Sequence, residues 1–174
     1  LDLFVGGRVV SSRYPEPASS LVFRGRADGK LVPDVENSSR LAKVGLVSGA
    51  VFTDLDGDGD PDLVLACDWG PIHIFRNDRG KLTPWEWAVR LPDTPRQTLN
   101  PQPSTLTQLT GWWNGVTAGD FDGDGRLDLV ACNWGRNTRY ERFRAEPLRV
   151  WYGDLDGNNT VEVVEAYSNG TLRA

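Results

Sequence analysis

The sequence predicts an all-β protein built from four-stranded antiparallel sheets, and two observations carry that prediction. A nine-residue acidic pattern flanked by apolar runs recurs along the 174 residues. Between its copies, runs of four to eight Val, Ile, Leu and aromatic residues alternate with Gly, Asp and Asn turns, and no sustained 3.6-residue periodicity intervenes. Composition agrees: 39% hydrophobic and 25% charged residues mark an ordered globular chain, and Gly 19 with Pro 11 indicates many turns.

The repeats set the architecture. Val51–Ala66, Thr117–Ala131 and Trp151–Val164 align as apolar run, acidic loop, apolar run. Leu1–Val5 matches Pro61–Leu65, so the chain is expected to open at the eighth position of a fourth loop whose first seven residues are missing. Leu21–Leu31 parallels His73–Leu82, and Asp2, Asp62 and Asp128 recur at 60 to 66 residues. That period accommodates one four-stranded blade. The predicted fold is therefore a partial β-propeller of four-stranded antiparallel blades with DxDxDG calcium loops, one fragment over residues 1–174 and too short for a complete ring.

Within it, 1–40 reads as a partial blade, 41–91 as a blade, Pro-rich 92–110 as a connection, and 111–170 as a blade with an insertion at 136–146. In the middle repeat the expected elements are strand A at 45–53, the acidic loop at 54–62, strand B at 62–68, strand C at 72–76 and strand D at 80–84. An Asp-Arg-Gly turn joins the last two strands. The third acidic loop follows the second by only 34 residues. Either a degenerate blade begins there, or, as we prefer, 148–152 is strand C of the preceding blade and the loop replaces its C–D turn.

Each acidic loop offers only oxygen donors. Side chains at positions 1, 3, 5 and 9 and the carbonyl at position 7 can converge on one hard cation of the Ca²⁺ type. The first set is Asp54, Asp56, Asp58, Asp62 and the Asp60 carbonyl; the second is Asp120, Asp122, Asp124, Asp128 and the Arg126 carbonyl. The third is Asp154, Asp156, Asn158, Glu162 and the Thr160 carbonyl, ranked weakest because an amide replaces a carboxylate. Zinc is disfavoured by a single His and unpaired Cys residues. An EF-hand is excluded because position 12 is Leu65 or Ala131, where that motif needs a bidentate Glu. A plain Asp-Gly turn is the bland reading, but repeated clusters of carboxylates call for a counter-ion. Three Ca²⁺ ions would move the formal charge from −5 to about +1.

Ala50–Val64 resembles the FG-GAP/VCBS repeat of integrin α-type propellers, and Gly111–Gly125 is similar to bacterial proteins of the ASPIC/UnbV group. The resemblance covers nearly the whole chain. It implies a seven- or eight-bladed propeller in the full protein, calcium in the hairpin loops and an extracellular or periplasmic setting, and it implies no reaction.

Several residues outside the loops bear on function. Trp69 and Trp134 sit in related Cys-Asp/Asn-Trp-Gly runs and read as inter-blade packing, whereas Trp112 and Trp113 face opposite sides of a strand, so that one can be an exposed platform. Cys67 and Cys132 occupy matching repeat positions and are read as buried free thiols in preference to a disulfide. His73 reads as structural, and the sequons at Asn37, Asn158 and Asn169 are uninformative without the host.

Acidic clustering argues against nucleic acid as a partner. No apolar run approaches the roughly 18 to 20 residues of a membrane span, the longest being the Gly-interrupted Val44–Phe52. No signal-like segment is present, so any targeting sequence is expected upstream. The leading expectation is a non-enzymatic, calcium-binding extracellular module for protein or glycan ligands. The alternative is a fragment of a propeller-type polysaccharide lyase or hydrolase, for which no carboxylate pair or Lys/Arg/Tyr cluster of recognisable spacing stands outside the loops. A third is a structural piece whose ring closes by self-association or with missing blades of the same polypeptide.

Overall fold

Strand β5 (Asp62–Asp68) explains most of the architecture, because all seven of its residues are buried. A strand apolar on both faces, Leu63-Val64-Leu65-Ala66-Cys67, must be covered from both sides. In the computed structural model, which describes residues 2–90, 104–135, 148–168 and 172–173, it is the second strand of a four-stranded antiparallel meander. The order is β4 (Leu46–Thr53), β5, β6 (Ile72–Asp78) and β7 (Lys81–Pro84). These strands match the expected A to D segments within about two residues at each end. The β6–β7 turn uses Arg79 and Gly80, both at positive φ (50° and 87°), as a tight hairpin requires.

On one side of this sheet, Leu63, Leu65, Cys67 and Phe75 join Val47, Leu82, Val22 and Leu41. That face is covered by a three-stranded sheet, β1 (Leu3–Val5), β2 (Leu21–Gly25) and β3 (Leu31–Pro33). On the other side, Val64, Ala66, Ile72 and Ile74 meet Trp85, Trp87, Trp113, Val116, Leu129 and Ala131. Two of the covering strands are β8 (Trp113–Gly119) and β9 (Asp128–Asn133). The strands β4 and β8 approach closely, with the Ser48 hydroxyl donating to the Trp113 carbonyl at 2.5 Å. A Cβ on Gly49 would lie 2.7 Å from the Gly115 Cα, which explains glycine there. Both strands skip one residue in register at equivalent places, between Val47 and Gly49 and between Trp113 and Gly115, so the bulge repeats with the sequence.

Two features depart from the expectations. Residues Val35–Arg40 form a short helix, α1, between β3 and β4. Asp34 is its N-cap, the side chain accepting from the Asn37 N–H, and the strand pattern around it hid the helix from the sequence reading. Strand β10 (Arg149–Gly153) pairs with β11 (Glu162–Ser168), followed by β12 (Leu172–Arg173), and is not a third strand beside β9. The preferred reading of 148–152 as strand C is thereby corrected. The third loop joins the first two strands of its own sheet, as the other two loops do. The expected insertion at 136–146 and most of the 92–110 connection lie outside the described residues; Leu106–Gln108 forms one 3-10 turn. No helix of the described residues is long and apolar enough to cross a membrane.

Helix α1 fastens the first sheet to the second through Asn37, which is buried. Its Nδ2 donates to Asp34 Oδ2 (2.7 Å) and to the Gly80 carbonyl (2.8 Å), and its Oδ1 accepts from the Leu82 N–H (2.9 Å). Arg24 adds an ion pair to Asp34 (2.7 Å) and a bond to the Gly80 carbonyl (2.8 Å). The Asn37 sequon is thus committed to the interior. Asn37→Ala leaves the Leu82 N–H without its acceptor and the Gly80 carbonyl with Arg24 alone, and should cost about 3 kcal/mol in urea denaturation.

Burial alone would raise the Asp34 carboxyl, but Arg24 and the two Asn37 donors outweigh it and hold the group below the usual carboxylate range. Such a group stabilises the fold above its unfolded value, near 3.9, and loses that contribution as pH falls through its folded value. Asp34→Asn should therefore be less stable than the parent at pH 7 and show a flatter decline below about pH 4 in thermal melts.

Candidate metal centres

Each acidic loop is folded by its first aspartate. Asp54 Oδ1 accepts from the Gly57 and Asp58 N–H groups (2.9 and 3.1 Å) and its Oδ2 from Gly59 (3.0 Å). Asp120 repeats this with Gly123, Asp124 and Gly125 (2.8, 3.1 and 3.0 Å). Asp154 does so with Gly157, Asn158 and Asn159 (2.7, 3.0 and 2.9 Å). The chain turns this sharply because positions 4 and 6 adopt positive φ: 76° and 91° at Gly57 and Gly59, 80° and 85° at Gly123 and Gly125. In the third loop Asn159 takes the position-6 role at 64°, which asparagine tolerates better than other non-glycine residues.

The ninth residue closes each loop from the following strand. Asp62 Oδ2 accepts from the Leu55 N–H (3.0 Å), Asp128 Oδ2 from Phe121 (2.9 Å) and Glu162 Oε2 from Leu155 (2.7 Å). Position 5 then accepts from the N–H of position 7, at Asp58 from Asp60 (2.9 Å), at Asp124 from Arg126 (2.9 Å) and at Asn158 from Thr160 (2.7 Å).

This folding gathers carboxylates. One oxygen from each of Asp54, Asp56 and Asp58 lies within 4.8 Å of the others, as do those of Asp120, Asp122 and Asp128, and of Asp154, Asp156 and Glu162. Three anions at that spacing repel one another, and an all-oxygen set is the donor chemistry of a hard divalent cation. The residues present therefore fit Ca²⁺. Neither histidine nor cysteine contributes to these groups.

The expected ligands are not all brought together. Asp62 is fully buried, its Oδ1 accepting from the Asn77 N–H (2.8 Å) as well as its Oδ2 from Leu55, and burial pushes its carboxyl upward. It stands outside the first trio, whereas Asp128 stands inside the second. Asp60 directs its side chain to the Arg79 N–H (2.8 Å). Asp124 is engaged by Arg126 (2.5 Å), and Asn158 donates to Asp156 Oδ2 (3.0 Å). Asp2, at the equivalent of Asp62, accepts from the Gly25 N–H (2.9 Å) as Asp62 does from Asn77.

Sequence reasoning missed Arg76, which projects from β6 onto the first loop. Its Nη2 lies 2.6 Å from Asp56 Oδ2 and 3.4 Å from Asp58 Oδ2, with the guanidinium 5.9 Å from the Trp85 ring centroid. No local pattern links residues 56 and 76; only the register of β5 with β6 does.

The tryptophans divide differently from the simple alternation. Trp113 turns inward, its Nε1 donating to the Leu109 carbonyl (3.1 Å). Trp112 lies between Trp69 and Trp134, with ring centroids 5.0 and 4.1 Å away, and Trp69 Nε1 donates to the Tyr14 hydroxyl (2.6 Å). His73 lies in β6 near Phe75, and burial lowers its imidazole pKa, in keeping with a structural role. Both cysteines are free; Cys67 is buried with its thiol pushed up to about 12 by burial, whereas Cys132 is exposed, contrary to the expectation of two buried thiols. A thiol reagent should accordingly modify one cysteine per native chain rapidly, at Cys132, and the second only on unfolding, as read by mass spectrometry.

The family model of the FG-GAP-like repeat matches residues 54–131, from the first acidic loop into β9. The chain is 27% identical over 140 residues to cartilage acidic protein 1 of Homo sapiens, an alignment covering 70% of this chain and 20% of that protein. It thus spans about a fifth of the length of that curated relative. No solved structure matches. The stretch from the first acidic loop into β9, residues 54–131, is thus similar to an FG-GAP-like repeat.

Proposed function

We propose that the chain is a segment of an extracellular or periplasmic calcium-stabilised β-propeller, a binding or scaffolding module for protein or glycan ligands and not an enzyme. The observation that carries this reading is the repetition of one loop geometry at three places, each folding on its first aspartate and each gathering three carboxylate-bearing residues. The FG-GAP-like repeat at 54–131 and the likeness to cartilage acidic protein 1 support the extracellular interaction role.

On this reading the stacked sheets are successive blades, 1–40 partial and 41–91 complete, with β8–β9 and β10–β12 belonging to two further blades. Asp54, Asp56 and Asp58 would hold the first ion, Asp120, Asp122 and Asp128 the second, and Asp154, Asp156 and Glu162 the third. The carbonyls of Asp60, Arg126 and Thr160 and the side chain of Asn158 would complete the coordination, while Asp62 and Asp124, expected as ligands, brace the loops from outside their trios. Bound calcium would supply positive charge that cancels carboxylate repulsion. The protein's own backbone N–H groups orient the oxygens, and the loop then clamps adjacent strands.

Calcium at a hundred times its dissociation constant stabilises the fold by about 2.7 kcal/mol per site. For a chain of this length that corresponds to a melting temperature roughly 5 to 10 °C higher than in chelator. Differential scanning calorimetry with calcium and with EGTA measures it, and coincident melting curves would reject the reading. Asp120→Asn with Asp122→Asn should remove one ion from the stoichiometry seen by calorimetric titration.

A further inference from the structure

We infer that Arg76 is a built-in counter-cation of the first loop, competing with calcium there and rendering that loop the weaker binder of two otherwise matched sites. The inference deepens the calcium reading and rests on it. Loops one and two carry aspartate at positions 1, 3, 5 and 9 alike and differ in charge at position 7, where Asp60 turns to the Arg79 N–H and Arg126 to Asp124; the charge that reaches the converging trio itself comes from outside the loop.

In the first loop the Arg76 guanidinium touches two of the three converging carboxylates, Asp56 at 2.6 Å and Asp58 at 3.4 Å. The Asp56 side chain is 17% exposed although the residue as a whole lies at the surface, and that of Arg76 is 48% exposed, so solvent screens the contact in part. Trp85 lies against the guanidinium and helps to hold it over the loop. The fourth carboxylate offers little relief, because both oxygens of Asp62 already accept backbone N–H groups inside the protein. A divalent ion entering among Asp54, Asp56 and Asp58 therefore meets a resident positive charge and must share or displace it.

The second loop differs in both respects. Arg126 grips only Asp124 Oδ2, which is outside the converging trio, and Asp128 joins Asp120 and Asp122. Among the described residues no ion pair engages Asp120, Asp122 or Asp128, nor the third trio. The second site therefore binds calcium more tightly than the first, and the first loop keeps its shape with less dependence on the ion.

The test is a calcium titration followed by NMR, reading the Gly59 and Gly125 amides, which donate to the position-1 aspartate of the first and second loops. In the unaltered protein Gly125 should respond at lower calcium than Gly59. Arg76→Gln should tighten the Gly59 response roughly three- to tenfold and leave Gly125 unmoved. Arg76→Lys, which keeps the charge, should stay within about twofold of the parent at Gly59, and it also controls for any disturbance of folding in the Gln variant.

In chelator, hydrogen exchange at Gly57, Asp58 and Gly59 should be slower than at Gly123, Asp124 and Gly125, and the Gln variant should remove that advantage. Calcium binding with both loops filling together, or with Gly59 unaffected by Arg76→Gln, overturns the role of Arg76 alone. No response of either amide to calcium overturns the calcium reading and this inference with it.

Discussion

The rest of the structure turns on how a single aspartate at the head of each acidic loop captures three successive backbone N–H groups. A carboxylate that accepts so many donors is satisfied without water, and the loop it folds is tight enough to bring two further carboxylates alongside. The same turn sets where the next strand begins, because the ninth residue reaches back to the N–H of the second. Loop geometry and sheet register are therefore one constraint. It recurs between β4 and β5, β8 and β9, and β10 and β11. Its cost is mutual repulsion among oxygens within 4.8 Å of one another, offset by the N–H dipoles and by any cation that the oxygens attract.

Stability is concentrated one strand away from these loops. Leu63, Val64 and Leu65 are fully buried, and burying each such side chain is worth about 1.5 to 3 kcal/mol. Because they alternate between faces, β5 ties the first sheet to the second and the second to β8–β9. The equivalent strand β9 shows what the burial of β5 depends on. By register Cys132 is the counterpart of Ala66 and not, as the sequence suggested, of Cys67; Val130 and Cys132 are exposed where Val64 and Ala66 are fully buried, since among the described residues no sheet covers that side of β9.

The two ends of the strands serve different chemistry. At the loop end the surface is anionic and turned to solvent. At the opposite end Trp69, Trp112 and Trp134 lie in a row, and the buried Asp68 pairs with Arg8 at 2.8 Å. The acidic loops thus stand at one end of the strands and the tryptophan row at the other.

From sequence alone the all-β class, the strand limits of the middle sheet and the three acidic loops were legible, because alternation of apolar residues and the Asp-x-Asp spacing are local patterns with local causes. The helix at Val35–Arg40 was not read from the sequence, because six residues between strands carry too little periodicity to assert one. What only the tertiary structure decided depends on residues distant in the chain. The register of β5 and β6 buried Asp62 and set Arg76 over Asp56 and Asp58. The sheet contact at Gly49 and Gly115 turned Trp113 inward and left Trp112 between Trp69 and Trp134. The pairing of β10 with β11 gave the third loop its own sheet. Local spacing can bring carboxylates together, whereas the charge and burial around them are set by strands that meet across the fold.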